Sequence, residues 1–126
     1  MLVADSYAGA RQPCARYLDR FHFQVAEAKD GEEALALIIA IEPHVILAES
    51  SLPTMPGARL FQWLAQNWRT RDIPVIFMTG SLEPHSAEAP PPTAAGLLVK
   101  PFSLAAMLEA VRRALRARGD AGSDGL

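Results

Sequence analysis

Apolar residues in this chain gather into short runs, and each run ends on a polar side chain. Leu2-Val3-Ala4 leads to Asp5, Val45-Ile46-Leu47-Ala48 to Glu49, Val75-Ile76-Phe77-Met78 to Thr79, and Leu97-Leu98-Val99 to Lys100. Short, nearly continuous apolar runs predict strands covered on both faces. Phe23 to Glu27 reads as a further strand, and the runs themselves place strands at His44–Ala48, Ile73–Met78 and Gly96–Val99. Between them the spacing turns helical. Ala8 to Arg20 is the first helical segment. Asp30 can cap a second helix, with Glu33 three residues on completing a capping box. Ala34, Leu35, Leu37, Ile38 and Ile41 supply its apolar face, and Pro43 stops it. Ala58 to Trp68 carries Leu60, Phe61, Leu64 and Trp68 at helical spacing, and Ser103 is placed to cap a last helix running to about Arg118. Strands alternating with helices predict a parallel sheet with right-handed crossovers. In an open sheet of that kind, ligands and chemistry collect at the carboxyl ends of the strands, where these four polar residues fall.

Two stretches depart from the pattern. Pro13 falls inside the first helix and removes a backbone donor, which predicts a local kink or a helix start near Gln12. Ser81 to Thr93 holds Pro84 and the run Pro90-Pro91-Pro92, which no α-helix interior accommodates. At most a short turn is expected there.

With 126 residues the chain has the length of one domain with a single core. The expected division is a folded unit over 1–118 and a flexible tail from Gly119 to Leu126. A formal net charge of −2 gives no general attraction to nucleic acid or an anionic membrane. The basic cluster Arg112, Arg113, Arg116 and Arg118 reads as the last turn of a helix, where it suits the dipole. No apolar segment has the length of a membrane span or a signal peptide, and the lone Cys14 fits a reducing compartment, so a cytoplasmic location is expected. His22, His44 and His85 lack metal-ligand spacing. Cys14 reads as a helix-core thiol, since no basic residue is placed to activate it. Asp5-Ser6-Tyr7-Ala8-Gly9-Ala10 lacks the glycine- and hydroxyl-rich loop of a flavin or nucleotide binder.

Several short pieces, taken in order, carry a family likeness: Lys29-Asp30-Gly31-Glu32-Glu33-Ala34-Leu35, Glu42-Pro43-His44-Val45-Ile46-Leu47, Leu52-Pro53 with Gly57, Asp72-Ile73-Pro74-Val75-Ile76, and Val99-Lys100-Pro101-Phe102. Together they resemble the receiver domain of two-component response regulators, up to Arg118. The resemblance implies a flavodoxin-like α/β fold: a five-stranded parallel sheet in the order 2-1-3-4-5, helices on both faces, and here a fourth helix shortened or lost. Active members keep two adjacent acids after the first strand, an acceptor aspartate after the third, Thr or Ser after the fourth and lysine after the fifth. By that match Asp5 is the first acid and Ser6 stands for the second. Glu49 occupies the acceptor position, Thr79 and Lys100 are retained as phosphoryl contacts, and the Ser51 carbonyl falls at the third metal contact. A cis peptide before Pro101 is expected, and Leu97 takes the position of the aromatic switch.

The departures have physical consequences. Phosphoryl transfer depends on placement and on a metal that neutralises the phosphoryl oxygens. Glutamate reaches one methylene further than aspartate, into space the phosphoryl group needs. Ser6 removes one carboxylate from a Mg²⁺ site that relies on very few. The expectation is a pseudo-receiver: a protein-binding signalling module without phosphotransfer, with no cofactor beyond weak Mg²⁺ binding through Asp5 and Glu49. Glu49 is also expected to reach toward Lys100 and Thr79. Implied partners are proteins, such as a histidine kinase or an output domain, rather than nucleic acid or membrane. The alternative is a working receiver that accepts phosphate from a histidine kinase at a non-standard residue.

Overall fold

Alternate residues of every central strand point to opposite cores, and that alternation sets the architecture. Leu2, Ala4, Ile46, Ala48, Val75 and Phe77 belong to one buried cluster; Val3, Val45, Leu47, Ile76, Met78 and Leu98 belong to the other. The computed structural model describes residues 1–80, 91 and 93–124, with the side chains of 120–124 left aside. The elements are β1 (Leu2–Ala4), α1 (Ala8–Asp19), β2 (Ala26–Ala28), α2 (Gly31–Ile41), β3 (Ile46–Glu49), α3 (Gly57–Ala65), β4 (Val75–Thr79), β5 (Gly96–Val99) and α4 (Leu104–Asp124). The five strands are parallel, as the alternation predicts, and lie in the order β2-β1-β3-β4-β5 that the resemblance implies. Helices α2 and α3 cover the first cluster, α1 and α4 the second. Residues 81–90 and 92 of the proline-rich stretch, on which the expected loss of the fourth helix rests, lie outside the described residues.

Register aligns the carboxyl ends. Ala4 pairs with Ala28 and Ala48, Glu49 with Met78, and Thr79 with Val99. Backbone bonds carry the ladder one residue further, from Asp5 N–H to the Ala28 carbonyl at 3.0 Å and from Lys100 N–H to the Thr79 carbonyl at 2.7 Å. The four polar residues that end the apolar runs therefore lie along one edge.

Helix boundaries follow local chemistry. The Asp30 carboxylate accepts from the Glu33 N–H at 2.8 Å and caps α2. The Ser103 hydroxyl accepts from the Ala106 N–H at 3.0 Å and caps α4. Three expectations need correction. First, α1 begins at Ala8 as the helical segment predicts, so of the two alternatives for Pro13 the start near Gln12 falls: the Tyr7 carbonyl already accepts from the Ala10 and Arg11 N–H groups and nucleates the helix upstream of Pro13. Second, α3 stops at Ala65, well before Trp68: Thr70 Oγ1 donates to the Leu64 carbonyl at 2.8 Å and Asn67 Nδ2 to the Trp63 carbonyl at 2.7 Å, closing the helix with side chains. Trp68 is consequently 73% exposed, with the Arg69 guanidinium over its ring, instead of joining the apolar face. Third, α4 continues through Asp124, past the tail expected from Gly119. Gly119 weakens a helix by only about 1 kcal/mol, and no proline follows to end it. Arg112, Arg113, Arg116 and Arg118 thus sit inside the helix rather than in its last turn. Arg118 donates to the His44 carbonyl at 2.9 Å, and Arg112 lies over Phe21.

Gly57 opens α3 against the end of β3. A Cβ there would fall 2.8 Å from the Glu49 carbonyl oxygen and 2.9 Å from the Phe77 ring. Gly57→Ala is expected to destabilise the fold by about 1–3 kcal/mol, as overpacking does. Gly119→Ala, with open space around it, should instead stabilise by up to about 1 kcal/mol. Urea denaturation of the two variants checks both signs.

Candidate functional site at the carboxyl edge of the sheet

Asp5 follows β1 and is buried to 1% exposure. A lone carboxylate so far from water is costly unless it is paired and hydrogen-bonded. Both oxygens are met: Oδ1 accepts from the Tyr7 N–H at 2.9 Å, and Oδ2 accepts from Lys100 Nζ at 2.8 Å. Lys100 is carried there at the end of β5, and the peptide bond between it and Pro101 is cis.

Glu49 closes the next strand, with its side chain 14% exposed. Oε2 accepts from the Ser6 N–H at 2.8 Å and from the Ser6 hydroxyl at 3.0 Å, while Oε1 accepts from the Ser51 hydroxyl at 3.1 Å. Lys100 Nζ stands 3.8 Å from Oε1, too far for a hydrogen bond but close enough for charge attraction. Partial burial pushes the Glu49 carboxyl up, yet the Ser6 N–H, the Lys100 charge and the Ser6 hydroxyl together outweigh it and hold the pKa below the ordinary glutamate value. Glu49 is an anion at neutral pH.

The structure thus brings Asp5, Ser6, Glu49, Ser51 and Lys100 together by direct contact. Thr79, buried at the end of β4, occupies the same edge. Lys100 gives its short contact to Asp5 and not to Glu49. Two roles were missed from sequence. Ser6 was read only as a lost acid, but its N–H and hydroxyl are the donors that fix Glu49. Ser51 was read through its carbonyl, but its hydroxyl binds the other Glu49 oxygen. The signal available was the pattern itself: hydroxyls flanking an over-long carboxylate. Leu97, at the switch position on edge strand β5, is 41% exposed. Cys14 is buried, and burial together with the nearby Asp5 charge pushes its thiol up, against a smaller downward pull from Lys100. It is protonated and inert at neutral pH.

A divalent metal does not fit this donor set as it stands. Each oxygen of Asp5 and Glu49 already faces an N–H, a hydroxyl or the ammonium, and Lys100 supplies the positive charge between the two acids. Mg²⁺ needs near-octahedral oxygen ligation, which would require displacing Lys100 and turning Glu49 off Ser6.

Comparison with known proteins agrees with the fold. Residues 1–112 match the response regulator receiver domain. The chain belongs to that family. It is 28% identical over 125 residues to the phosphate regulon transcriptional regulatory protein PhoB of Pseudomonas aeruginosa, covering 98% of this chain and 55% of that protein. It is 33% identical over 118 residues to the DNA-binding dual master transcriptional regulator RpaA of Synechocystis, covering 92% and 48%. The chain therefore spans about half the length of the curated relatives it matches. Among solved structures, the chemotaxis response regulator CheY4 of Vibrio cholerae superposes with a TM-score of 0.82 at 28% identity, over 90% of this chain and 96% of that one. Among the described residues, no helix is long and apolar enough to cross a membrane.

Two predictions follow from these contacts. Lys100→Met strands the buried Asp5 carboxylate and is expected to destabilise by about 3–5 kcal/mol, with Asp5→Asn in the same chain recovering much of that loss. A double-mutant cycle in urea measures it. The second concerns pH. The folded pKa of Glu49 is depressed, so its contribution is fully present above the unfolded value of about 4.3 and is lost as pH falls through the lower folded value. Glu49→Gln should flatten that acidic part of the stability curve and leave the slope above pH 5 unchanged.

Proposed function

We propose that this chain is a pseudo-receiver: a signalling module that binds protein partners through a fixed surface and does not carry phosphate. The observation that carries the reading is the state of the acceptor position. Glu49 projects into the phosphoryl site and is tied there by Ser6 and Ser51, while Lys100 is drawn onto Asp5. An incoming phosphoryl group meets a carboxylate already hydrogen-bonded through both oxygens, and the metal that would neutralise its oxygens would have to displace those donors and Lys100. Leu97, lacking a polar tip, offers no ring to exchange between buried and exposed positions. Any partner is then bound with affinity from packing, not from a phosphorylation-driven population shift.

The partner class is a histidine kinase or an output domain, in the cytoplasm, with residues 1–118 as the binding unit. The relatives named as DNA-binding or transcriptional regulators are about twice as long as this chain. No direct contact to DNA is assigned to this chain, whose net charge is −2.

Incubation with acetyl phosphate and Mg²⁺ followed by intact-mass spectrometry tests the reading. The expected result is no phosphoryl adduct on the natural chain and Mg²⁺ binding in the millimolar range or weaker, where a site contributes about 4 kcal/mol. Glu49→Asp with Ser6→Asp should tighten Mg²⁺ binding at least about tenfold, or 1.4 kcal/mol, and permit slow phosphorylation. An adduct on the natural chain at Glu49, Ser6 or Ser51 would make it a working receiver instead.

A further inference from the structure

From Ala34 to Ile41, helix α2 carries no polar side chain, although only one side of it is covered. Ala34 and Ile38 are buried, but Ala36, Ile39, Ala40 and Ile41 are exposed. A surface helix ordinarily keeps its outer side polar. Trp68, 73% exposed, extends the apolar area beyond the end of α3. A cleft of about 170 Å³ lies between, and its lining includes Ile39, Glu42, Trp63, Trp68 and Arg69. Tryptophan and arginine are the side chains that most often carry the binding energy of protein interfaces.

The two charges at the cleft are of opposite sign and unspent. Neither Glu42 nor Arg69 makes an ion pair or a side-chain hydrogen bond among the described residues. The Arg69 guanidinium lies 5.0 Å from the centroid of the Trp68 ring. That contact places the cation without consuming its N–H groups, which stay available to a carboxylate. Glu42 caps α2 in the left-handed conformation, φ 45°, where glycine would carry no strain. A charged residue is thus held at a position whose backbone favours glycine.

We propose that this patch is the contact surface of a symmetric dimer, with a second copy of the chain as its occupant. Because Glu42 and Arg69 share one small cleft, a two-fold axis through it sets Arg69 of each copy against Glu42 of the other. Trp68 of each copy then packs on the α2 face of the other. A closed two-fold interface requires a patch complementary to itself, and one base beside one acid meets that requirement, whereas a patch of a single sign would repel its own copy. The area is at the small end for specific interfaces, so the dimer is weak and concentration-dependent. The cleft lies where α2 leads into β3, at the edge of the sheet opposite Glu49. The inference therefore stands apart from the question of phosphorylation.

Sedimentation equilibrium of the full chain, with tryptophan emission followed over the same concentrations, tests the proposal. A monomer–dimer equilibrium is expected in the micromolar to millimolar range, with emission moving to the blue as Trp68 leaves water. Trp68→Ser should weaken association at least about thirtyfold. Arg69→Glu and Glu42→Arg, each alone, set like charges together at both contacts and should weaken it about tenfold. An equimolar mixture of those two variants restores an opposite-charge pair at both contacts and should associate as tightly as the natural chain. All three substitutions are at exposed positions, and unchanged circular dichroism confirms that each variant is folded. A chain that stays monomeric at millimolar concentration would overturn the proposal and leave the patch to a different protein. A dimer indifferent to Trp68→Ser, or a mixture no tighter than its components, would overturn it as well.

Discussion

The structure depends on one desolvated carboxylate. Asp5 sits at the end of the central strand β1 with 1% of its surface exposed, and the ion that neutralises it arrives from a residue 95 positions away in sequence. A buried ion pair is weak evidence of net stabilisation, because desolvation offsets much of the attraction. What it does impose is geometry. Breaking it leaves an uncompensated charge in the core, so β1 and β5 are held in one arrangement although β3 and β4 lie between them. The carboxyl edge of the sheet takes its shape from that requirement.

Glu49 is then placed by what remains. With Lys100 committed to Asp5, the longer carboxylate takes its short contacts from neutral donors on the two adjoining loops, the Ser6 N–H and hydroxyl on one side and the Ser51 hydroxyl on the other. Below it, Gly57 brings the start of α3 against the Glu49 carbonyl, and the Gly57 N–H donates to the Ser50 carbonyl at 3.0 Å. A second aspartate at position 6 would put a third negative charge beside Asp5 and Glu49, which a single lysine cannot balance. The serine at position 6 and the glutamate at position 49 are therefore coupled substitutions in physical terms: the first supplies the donors that the second needs.

Fold and edge were largely legible in the sequence because burial on both faces writes itself as continuous apolar runs, and the residues ending those runs mark the carboxyl edge directly. Asp5, Glu49, Thr79 and Lys100 could be placed on one edge from that pattern together with the family resemblance. Partner choice within the edge was not legible. Whether Lys100 meets Asp5 or Glu49 depends on which acid is more desolvated, a property of packing that no local pattern encodes. Helix ends escaped for a similar reason. Asn67 and Thr70 close α3 through side-chain bonds to carbonyls four and six residues back, and Trp68 follows the helical spacing without being in the helix. At the other extreme, the tail expected from Gly119 onward continues the helix, since α4 runs through that glycine to Asp124.

On the pseudo-receiver reading proposed above, Glu49 already fills the phosphoryl site and Lys100 is already committed to Asp5, so the edge has one state. Beryllofluoride with Mg²⁺ reproduces the shape and charge of an acyl phosphate without requiring transfer chemistry, and amide NMR reports each residue of the site separately. The signals of Ser6, Glu49, Thr79 and Lys100 are expected to stay where they are at millimolar beryllofluoride and Mg²⁺. Saturable displacement of those signals, with Lys100 leaving Asp5, would contradict that reading.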